Sequence, residues 1–441
     1  MLIFASFADS RRSIWSVRVW MTAAATIVGR LLLLGALPGI GRAQQSAQPS
    51  VLPSAQPTFA LPAVDSFLPL ELCPSAITLP HDSVEVPLDL RENRPMVLLM
   101  LNGHGPFRFA VETGAPLLTL RADVARALGY TVADRSQWVA LDSVAIGAAT
   151  FRHVEAKLFS TGASASFGES DLGGLLGLNL FYDLLLTLDP GHATLRLTRG
   201  ALPPVNQRDI VALAPLGHQW YTMESWVTGT HAMAFLDTQD PGTFRTTPSQ
   251  VTESQFVHPP VVTGYAAGPS LGVQEQRVGR LNGSVRLGTV SFQQPLVTMT
   301  PVPSEFLQRW MIGWGALRHF TMTMDQRHRR LRLIPVDADT TIAPPPPLTH
   351  VGMAWAPSDS LSDARSDSLG VRLVSVDSAG PAYRQGFRTG DVLLAWNATR
   401  LTRANTARLL EAFRRSAPIQ IMLRRAAETR ILTLTPEVVV P

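Results

Sequence analysis

The sequence predicts a mostly β protein built from two copies of one fold, followed by a smaller α+β domain. Three observations predict it. Pro 34 and Gly 32 in 441 residues punctuate short apolar runs, and sustained helical heptads are missing, a balance that favours many strands and turns over a helical bundle. A set of short motifs recurs in the same order in two halves of the chain. Four consecutive prolines then set off a last stretch with a different pattern. With 46% apolar and 16% charged residues, the chain can bury real cores and is too apolar for general disorder.

From the N-terminus, residues 1–43 read as an export signal. Arg11, Arg12 and Arg18 precede an apolar stretch from Met21 to Ile40, and Gly41-Arg42-Ala43 offers a cleavage point. Arg30 interrupts the apolar stretch, so retention as an uncleaved anchor stays open. The working part is expected outside the cytoplasm, periplasmic or secreted. The segment holds five arginines against Asp9 and accounts for the whole formal charge of +4. The rest is near neutral, with no basic stripe interleaved with aromatics, which argues against a nucleic-acid partner. Residues 44–84 begin with a Gln-, Ser- and Pro-rich run and read as a linker or pro-segment.

Residues 85–202 and 203–340 read as the two copies. In the first, the apolar strand Phe107–Val111 delivers Glu112 and Thr113. Arg121–Gly129 suits a short helix with Gly129 near its end, and Ile146-Gly147 precedes Phe151. Leu175-Leu176-Gly177, Leu185–Asp189 and Leu195-Arg196-Leu197 follow. In the second, Ala232–Leu236 delivers Asp237 and Thr238 at an offset of 125 residues. Leu287-Gly288 precedes Phe292 at a slightly larger offset. Met311-Ile312-Gly313, Thr321–Asp325 and Leu331-Arg332-Leu333 follow at a constant offset of 136. Matched pieces in one order rarely arise by chance, and small changes of offset are what loops of unequal length produce.

Glu112 and Asp237 therefore hold corresponding places in the two copies. A carboxylate directly after a buried strand is costly unless it is hydrogen-bonded or paired. Copies related by a twofold would bring the two acids together. Close carboxylates cannot both ionise, so they share a proton. One can then activate water as a base while the other, protonated, polarises a carbonyl.

On these motifs, residues from about 85 to 335 resemble the two-lobe retropepsin/pepsin-type aspartic peptidases. Glu112-Thr113-Gly114-Ala115 with Leu175-Leu176-Gly177 is similar to the acid-Thr-Gly turn and later apolar-apolar-Gly segment of one lobe. Asp237-Thr238-Gln239-Asp240 with Met311-Ile312-Gly313 is similar to those of the other. The resemblance implies two β-barrel lobes related by a pseudo-twofold and a Glu112/Asp237 catalytic dyad. It implies support of the dyad by Thr113, Gly114, Thr238, Gly177 and Gly313, with the two threonine hydroxyls cross-bracing it. It also implies substrate-covering loops between each turn and its Gly segment, and an endopeptidase acting on extended polypeptide. Glu112 stands where the family has Asp, Gln239 where it has the Gly that lets the turn close, and Asp240 adds a third acid. The extra methylene of Glu112 displaces its carboxylate by about one bond length, which can cost roughly 100-fold in rate. A catalytically impaired homologue acting as a peptide-binding adaptor therefore stays open beside the peptidase.

Residues 341–347, with their four prolines, read as a stiff spacer. Beyond it, residues 348–441 resemble the PDZ domains of bacterial exported proteases. Gly352-Met353-Ala354-Trp355, Gly370–Val376, Gly380-Pro381-Ala382, Gly386-Phe387 and Gly390-Asp391-Val392-Leu393-Leu394 carry that resemblance. It implies an α+β domain in which a peptide end adds as a strand beside Gly352, Met353, Ala354 and Trp355, its carboxylate held by exposed amides of that loop.

Gly268-Pro269-Ser270-Leu271-Gly272 has the spacing of a nucleophile elbow, but an elbow needs a strand before it and a helix after it. Glycines break both flanks, and the stretch reads as part of a substrate-covering loop of the second copy. The ten histidines show no ligand spacing and Cys73 is alone, so no metal and no cofactor are expected. The expected partners are a polypeptide substrate or peptide C-termini, with a membrane only if the N-terminal segment stays uncleaved.

Overall fold

In lobe one the strands are β1 (Ala76–Thr78), β2 (Ser83–Pro87), β3 (Met96–Leu101), β4 (His104–Val111), β5 (Leu118–Arg121), β6 (Trp138–Ile146), β7 (Ala149–Phe159), β8 (Leu172–Leu176), β9 (Leu185–Asp189) and β10 (Thr194–Thr198), with helix α1 (Ala122–Ala127) after β5. The structure is a computed structural model that describes residues 72–90, 93–132, 137–159, 172–206, 208–216, 220–268, 272–301, 309–357, 370–401, 406–413 and 415–441. The export signal expected at residues 1–43 lies outside them. β6 shows how the sequence writes a strand: Val139, Leu141, Val144 and Ile146 are buried, and the residues between them face outward or lie half-buried, since successive side chains point to opposite faces. α1 is shorter than the predicted Arg121–Gly129 helix. Gly129 follows it with φ 87°, the left-handed turn that ends many helices on glycine.

The strand order β1-β7-β5-β8-β4-β3-β6, with β6 also pairing with β7, closes this sheet into a barrel. β1 and the start of β2 fall inside residues 44–84, which the sequence assigns to a linker or pro-segment. β1 pairs with β7 and β2 with β10, so strands begin ahead of the expected boundary at 85. The reason is Ser83-Val84-Glu85-Val86, a two-residue alternation too short to stand out in sequence.

Lobe two contains β11 (Ile210–Leu216), β12 (Trp220–Val227), β13 (Thr230–Asp237), β14 (Phe244–Thr246), β15 (Val261–Gly268), β16 (Gly272–Arg280), β17 (Ser284–Leu287), β18 (Val290–Gln293), β19 (Leu296–Met299), β20 (Trp310–Gly313), β21 (Phe320–Asp325) and β22 (Arg330–Pro335), with helix α2 (Trp314–Leu317) after β20. It repeats the pairings of lobe one. β4 runs parallel to β8, β8 antiparallel to β5, and β5 parallel to β7. β13 runs parallel to β20, β20 antiparallel to β14, and β14 parallel to β19. Lobe two adds the hairpin β15–β16 between β14 and β17.

A sheet of order β11-β22-β21-β9-β10-β2 joins the lobes. At its centre Thr187 of β9 is registered against Thr323 of β21. These residues are 136 apart, and their hydroxyls hydrogen-bond at 2.9 Å. A residue that pairs with its own repeat counterpart lies on a twofold axis, so the duplication read from the sequence is a spatial symmetry. Phe109, Phe151, Phe181 and Phe320 fill the core on either side, each buried aromatic contributing about 1.5–3 kcal/mol.

The tail begins with β23 (Thr341–Ile342), which pairs with β18, so the first residues of the predicted spacer are tied to lobe two. There follow β24 (Leu348–His350), β25 (Met353–Pro357), β26 (Val371–Val376), β27 (Val392–Trp396), β28 (Thr399–Arg400), β29 (Ile419–Arg425), β30 (Glu428–Leu434) and β31 (Glu437–Val440), with helices α3 (Pro381–Arg384) after β26 and α4 (Thr406–Phe413) after β28. The sheet order β25-β26-β27-β29-β30 leaves β25 at an edge. Leu373, Phe387, Leu393, Leu409 and Leu423 form a separate core. The Gly390-Asp391 motif has a packing reason. Buried Asp391 accepts both Nε and Nη2 of Arg425, at 2.7 and 2.8 Å, a bidentate pair that fixes the turn before β27.

Candidate active site

β4 and β13 are apolar at their C-terminal ends because Phe109, Ala110, Val111, Ala234, Phe235 and Leu236 are all core. Each strand is held by a parallel neighbour, with Val111 beside Leu176 and Asp237 beside Gly313. The acids that follow these runs are thereby carried to the seam between the lobes.

Thr113 and Thr238 lock the two turns together. Thr113 N donates to Thr238 Oγ1 at 3.0 Å, and Thr238 N donates to Thr113 Oγ1 at 3.1 Å. Thr113 Oγ1 donates to Leu236 O at 3.1 Å, and Thr238 Oγ1 donates to Val111 O at 2.6 Å. Every bond has its counterpart 125 residues away. Trp220 Nε1 donates to Gly114 O at 2.7 Å and Arg94 Nε to Gln239 O at 3.0 Å, so each turn is also pinned by a side chain of the opposite lobe. Gly177 and Gly313 explain the apolar-apolar-Gly segments. A Cβ there would lie 2.2 Å from Leu117 O or from Gly242 O, so the segment passes under the loop after each acid only as glycine.

Glu112 and Asp237 lie close enough for each carboxyl group to act on the ionisation of the other. Glu112 is 6% exposed, while Asp237 is half-buried. Glu112 Oε1 accepts Gly114 N at 2.6 Å, whereas Asp237 Oδ1 accepts both Gln239 N at 2.9 Å and Asp240 N at 3.0 Å. Burial first, and then the charge of Asp237, pushes Glu112 well above the usual carboxyl range. Asp237 is also raised, by burial and by the nearby Asp240, against the pull of its two amide bonds and of Glu112. Asp237, less buried and held by two amide donors against one for Glu112, is therefore the first of the pair to ionise.

The departures from the family pattern are accommodated. Gln239 was expected to interfere with the closing of its turn, yet the turn closes with it in place. Its backbone is not left-handed, and its buried side chain donates from Nε2 to Val111 O at 3.0 Å. In lobe one the requirement for glycine is one of room, since a Cβ on Gly114 would sit 2.7 Å from Glu112 Oε1. Asp240 is buried, which opposes ionisation, but Arg245 Nε at 2.6 Å and Gly242 N at 2.8 Å hold it below the usual range. It stands as a fixed negative charge beside Asp237.

In the tail, Met353 is buried in the core and Trp355 packs edge-to-face on Phe413 at 5.7 Å. Ala354 lies on the same edge strand. Gly352 departs from its expected role. Its amide is not free for a carboxylate, because it donates to His350 Nδ1 at 2.8 Å. Burial pushes His350 down to about 4 and keeps the ring neutral. The Gly268–Gly272 stretch joins two antiparallel strands, which is not the strand-to-helix setting of a nucleophile elbow. Among the described residues no three His, Cys, Asp or Glu side chains are grouped to hold a metal ion.

No known family matches the chain, and no curated protein does. Among solved structures, 29% of the chain is similar to 95% of a retropepsin-like aspartic protease from Rickettsia conorii, at 19% identity and a TM-score of 0.22. The HtrA3 PDZ domain bound to a phage-derived ligand is similar over 21% of this chain and 86% of its own, at 26% identity and a TM-score of 0.19. The photosystem II D1 C-terminal processing protease is similar over 21% of this chain and 24% of its own, at 23% identity and a TM-score of 0.18. Each likeness spans under a third of the chain, and the duplicated strand order and paired turns are what define the fold. The chain is mostly β, with two barrel lobes of aspartic-peptidase type related by a pseudo-twofold and a PDZ-like α+β domain.

Proposed function

We propose that this protein is an exported aspartic-type endopeptidase that cleaves extended polypeptide in the seam between its lobes. The observation that carries the reading is the close pairing of buried Glu112 with half-buried Asp237 at the ends of β4 and β13, on turns cross-braced by Thr113 and Thr238. In the reaction, Asp237 takes a proton from water, and the resulting hydroxide attacks the peptide carbonyl carbon. Glu112 gives its proton to the carbonyl oxygen, forming a gem-diol. Asp237 then passes its proton to the leaving nitrogen, Glu112 recovers one from the gem-diol, and the C–N bond breaks. The two residues end as they began. Because both acids are raised, the singly protonated pair extends to higher pH than free carboxyl groups would allow. The edge of β25 takes a segment of the substrate as an added strand.

The second reading, a peptide-binding adaptor, draws on one observation. Glu112 reaches back to its own turn amide at 2.6 Å, which withdraws one carboxyl oxygen from a substrate. Incubation of the mature protein with an unfolded polypeptide from about pH 3 to 7 separates the two. Cleavage that Asp237→Ala abolishes is the expected result. Cleavage by Glu112→Asp but not by the unaltered protein would identify an impaired site, and peptide binding without cleavage by any variant would identify the adaptor.

A further inference from the structure

Lobe two holds a cavity of about 300 Å³ at the end of β13 away from its acid. His231, part of the lining, comes six residues before Asp237 on this strand, about 20 Å at the rise of an extended chain. The volume falls at the lower end of the range for small-molecule sites, roughly 300–1,000 Å³.

The lining has two sides of different chemistry. Ala232, Met233 and buried Trp310 supply an apolar side. Thr230, His231, Gln250, Gln255 and Arg309 supply a polar one, and among the described residues no acid lines the cavity. The polar side is rich in donors. Gln255 Oε1 accepts Thr252 N at 2.8 Å, so the carbonyl end of that amide is used by its own turn and the NH2 end remains to donate. Arg309 has donors only. It is exposed, and its side chain makes no hydrogen bond or ion pair with another described residue. His231 stands across from Trp226 in the β12–β13 ladder and packs edge-to-face on it at 5.6 Å, with Glu224 Oε1 at 3.7 Å from its Nε2. These contacts fix the imidazole at the mouth.

The polar turn is anchored from behind. Asn282 N donates to Gln255 O at 2.8 Å, and Val257 N donates to Arg280 O at 2.9 Å, which ties the turn to the end of β16. Arg280 is also the junction of the hairpin β15–β16 with the tail, since its Nε donates to Pro441 O at 2.5 Å and its Nη1 to Pro345 O at 2.9 Å. A cavity walled by β13, β20 and a turn held in this way is formed before a ligand arrives, so little ordering entropy opposes binding.

We propose that this cavity binds a small organic carboxylate with an apolar body, its carboxylate held by Arg309 and the Gln255 amide and its body set against Met233 and Trp310. A planar guanidinium meets a carboxylate through two parallel N–H···O bonds. A bare anion would gain nothing from the apolar side, and an apolar alcohol nothing from the charge of Arg309. The proposal goes beyond the peptidase reading and does not depend on it.

Calorimetry of the full chain with 4-phenylbutyrate tests the site. The expected result is one site per chain with a Kd below about 1 mM. Butyrate, which lacks the ring, and 4-phenylbutanol, which lacks the charge, should each bind at least about tenfold more weakly. Arg309→Gln should weaken 4-phenylbutyrate by about tenfold or more, the loss of hydrogen bonds to a charged group. Gln250→Glu, which sets a negative charge in the lining, should do the same and decides the matter if Arg309→Gln does not fold. Asp237→Asn, in the cleft, should leave the affinity unchanged. Absence of binding at about 10 mM, equal binding of the alcohol, or an unchanged affinity in Arg309→Gln would overturn the proposal. Loss of binding in Asp237→Asn would also overturn it, because the ligand would then lie in the cleft.

Discussion

Thr113 and Thr238 make mirror-image bonds, yet they are not equivalent. Losing the Thr238 hydroxyl leaves Thr113 N unpaired, but Val111 O keeps the donor from Gln239 Nε2. Losing the Thr113 hydroxyl strands both Thr238 N and Leu236 O. With a buried unmet group costing about 1–3 kcal/mol, Thr113→Val is expected to cost about 2–4 kcal/mol and Thr238→Val about 1 kcal/mol less, as read by urea unfolding. Asp240 supplies a second expectation. Its fixed charge raises Asp237, so Asp240→Asn should lower the pKa of Asp237 and move the acid limb of the pH–rate profile to lower pH. An unmoved acid limb would remove Asp240 from the electrostatics of the site. The two acids and two threonines were legible in sequence because the repeat offset pairs them. Arg94, Trp220, Arg245, His350 and Arg280 were not. The bonds described for Arg94, Trp220, His350 and Arg280 run to backbone groups, and Arg245 reaches Asp240 and Thr300 across the fold, none of which leaves a periodic trace.

At the scale of elements, the segments Leu175–Gly177 and Met311–Gly313 show how a motif too short to be specific becomes specific in space. Each glycine sits where the loop after the acid crosses its strand. Gly313→Ala would place a Cβ 2.2 Å from a backbone oxygen, contact that no side-chain movement relieves. The expected cost is about 3 kcal/mol, the upper part of the range for overpacking, seen as a drop in the thermal midpoint together with loss of any cleavage. A variant of normal stability would show that the strand can shift without harm. Most strands of the two lobes could be read from alternation and turn residues. β1 and β2 could not, because three to five residues carry too little pattern beside a Pro-rich stretch. The hairpin β15–β16 was legible only as a loop, since Gly264, Gly268 and Gly272 interrupt its run of apolar residues.

Across the whole molecule, buried Glu112 and half-buried His350 make stability depend on pH in opposite directions. Glu112 is raised in the folded state, so the folded protein binds its proton more tightly than the unfolded chain does. That contribution is complete below the ordinary carboxyl range and is lost as pH rises through the raised value. His350 is lowered to about 4 from 6.5, so its neutral form is favoured on folding. Its contribution is complete above about 6.5 and is lost as pH falls toward 4, by up to about 3 kcal/mol. His350→Asn, whose side-chain oxygen can still accept from Gly352 N, should flatten the acid side of a plot of thermal midpoint against pH. Glu112→Gln should flatten the alkaline side and raise the midpoint at neutral pH. If neither substitution changes the curve, neither group is buried as described. The duplication and the separate tail were legible from the sequence as a whole. The junction that joins the tail to the hairpin was not, because nothing in the local pattern of Arg280 indicates which distant carbonyls it will meet.

The shared proton of Glu112 and Asp237 can be measured directly by carboxyl carbon NMR on the labelled protein, titrated with and without Asp237→Asn. Glu112 should remain protonated at pH values where ordinary glutamates have ionised, and Asp237→Asn should bring its titration to lower pH. Two carboxyl groups that titrate independently in the ordinary range, with Glu112 indifferent to Asp237→Asn, would contradict the account.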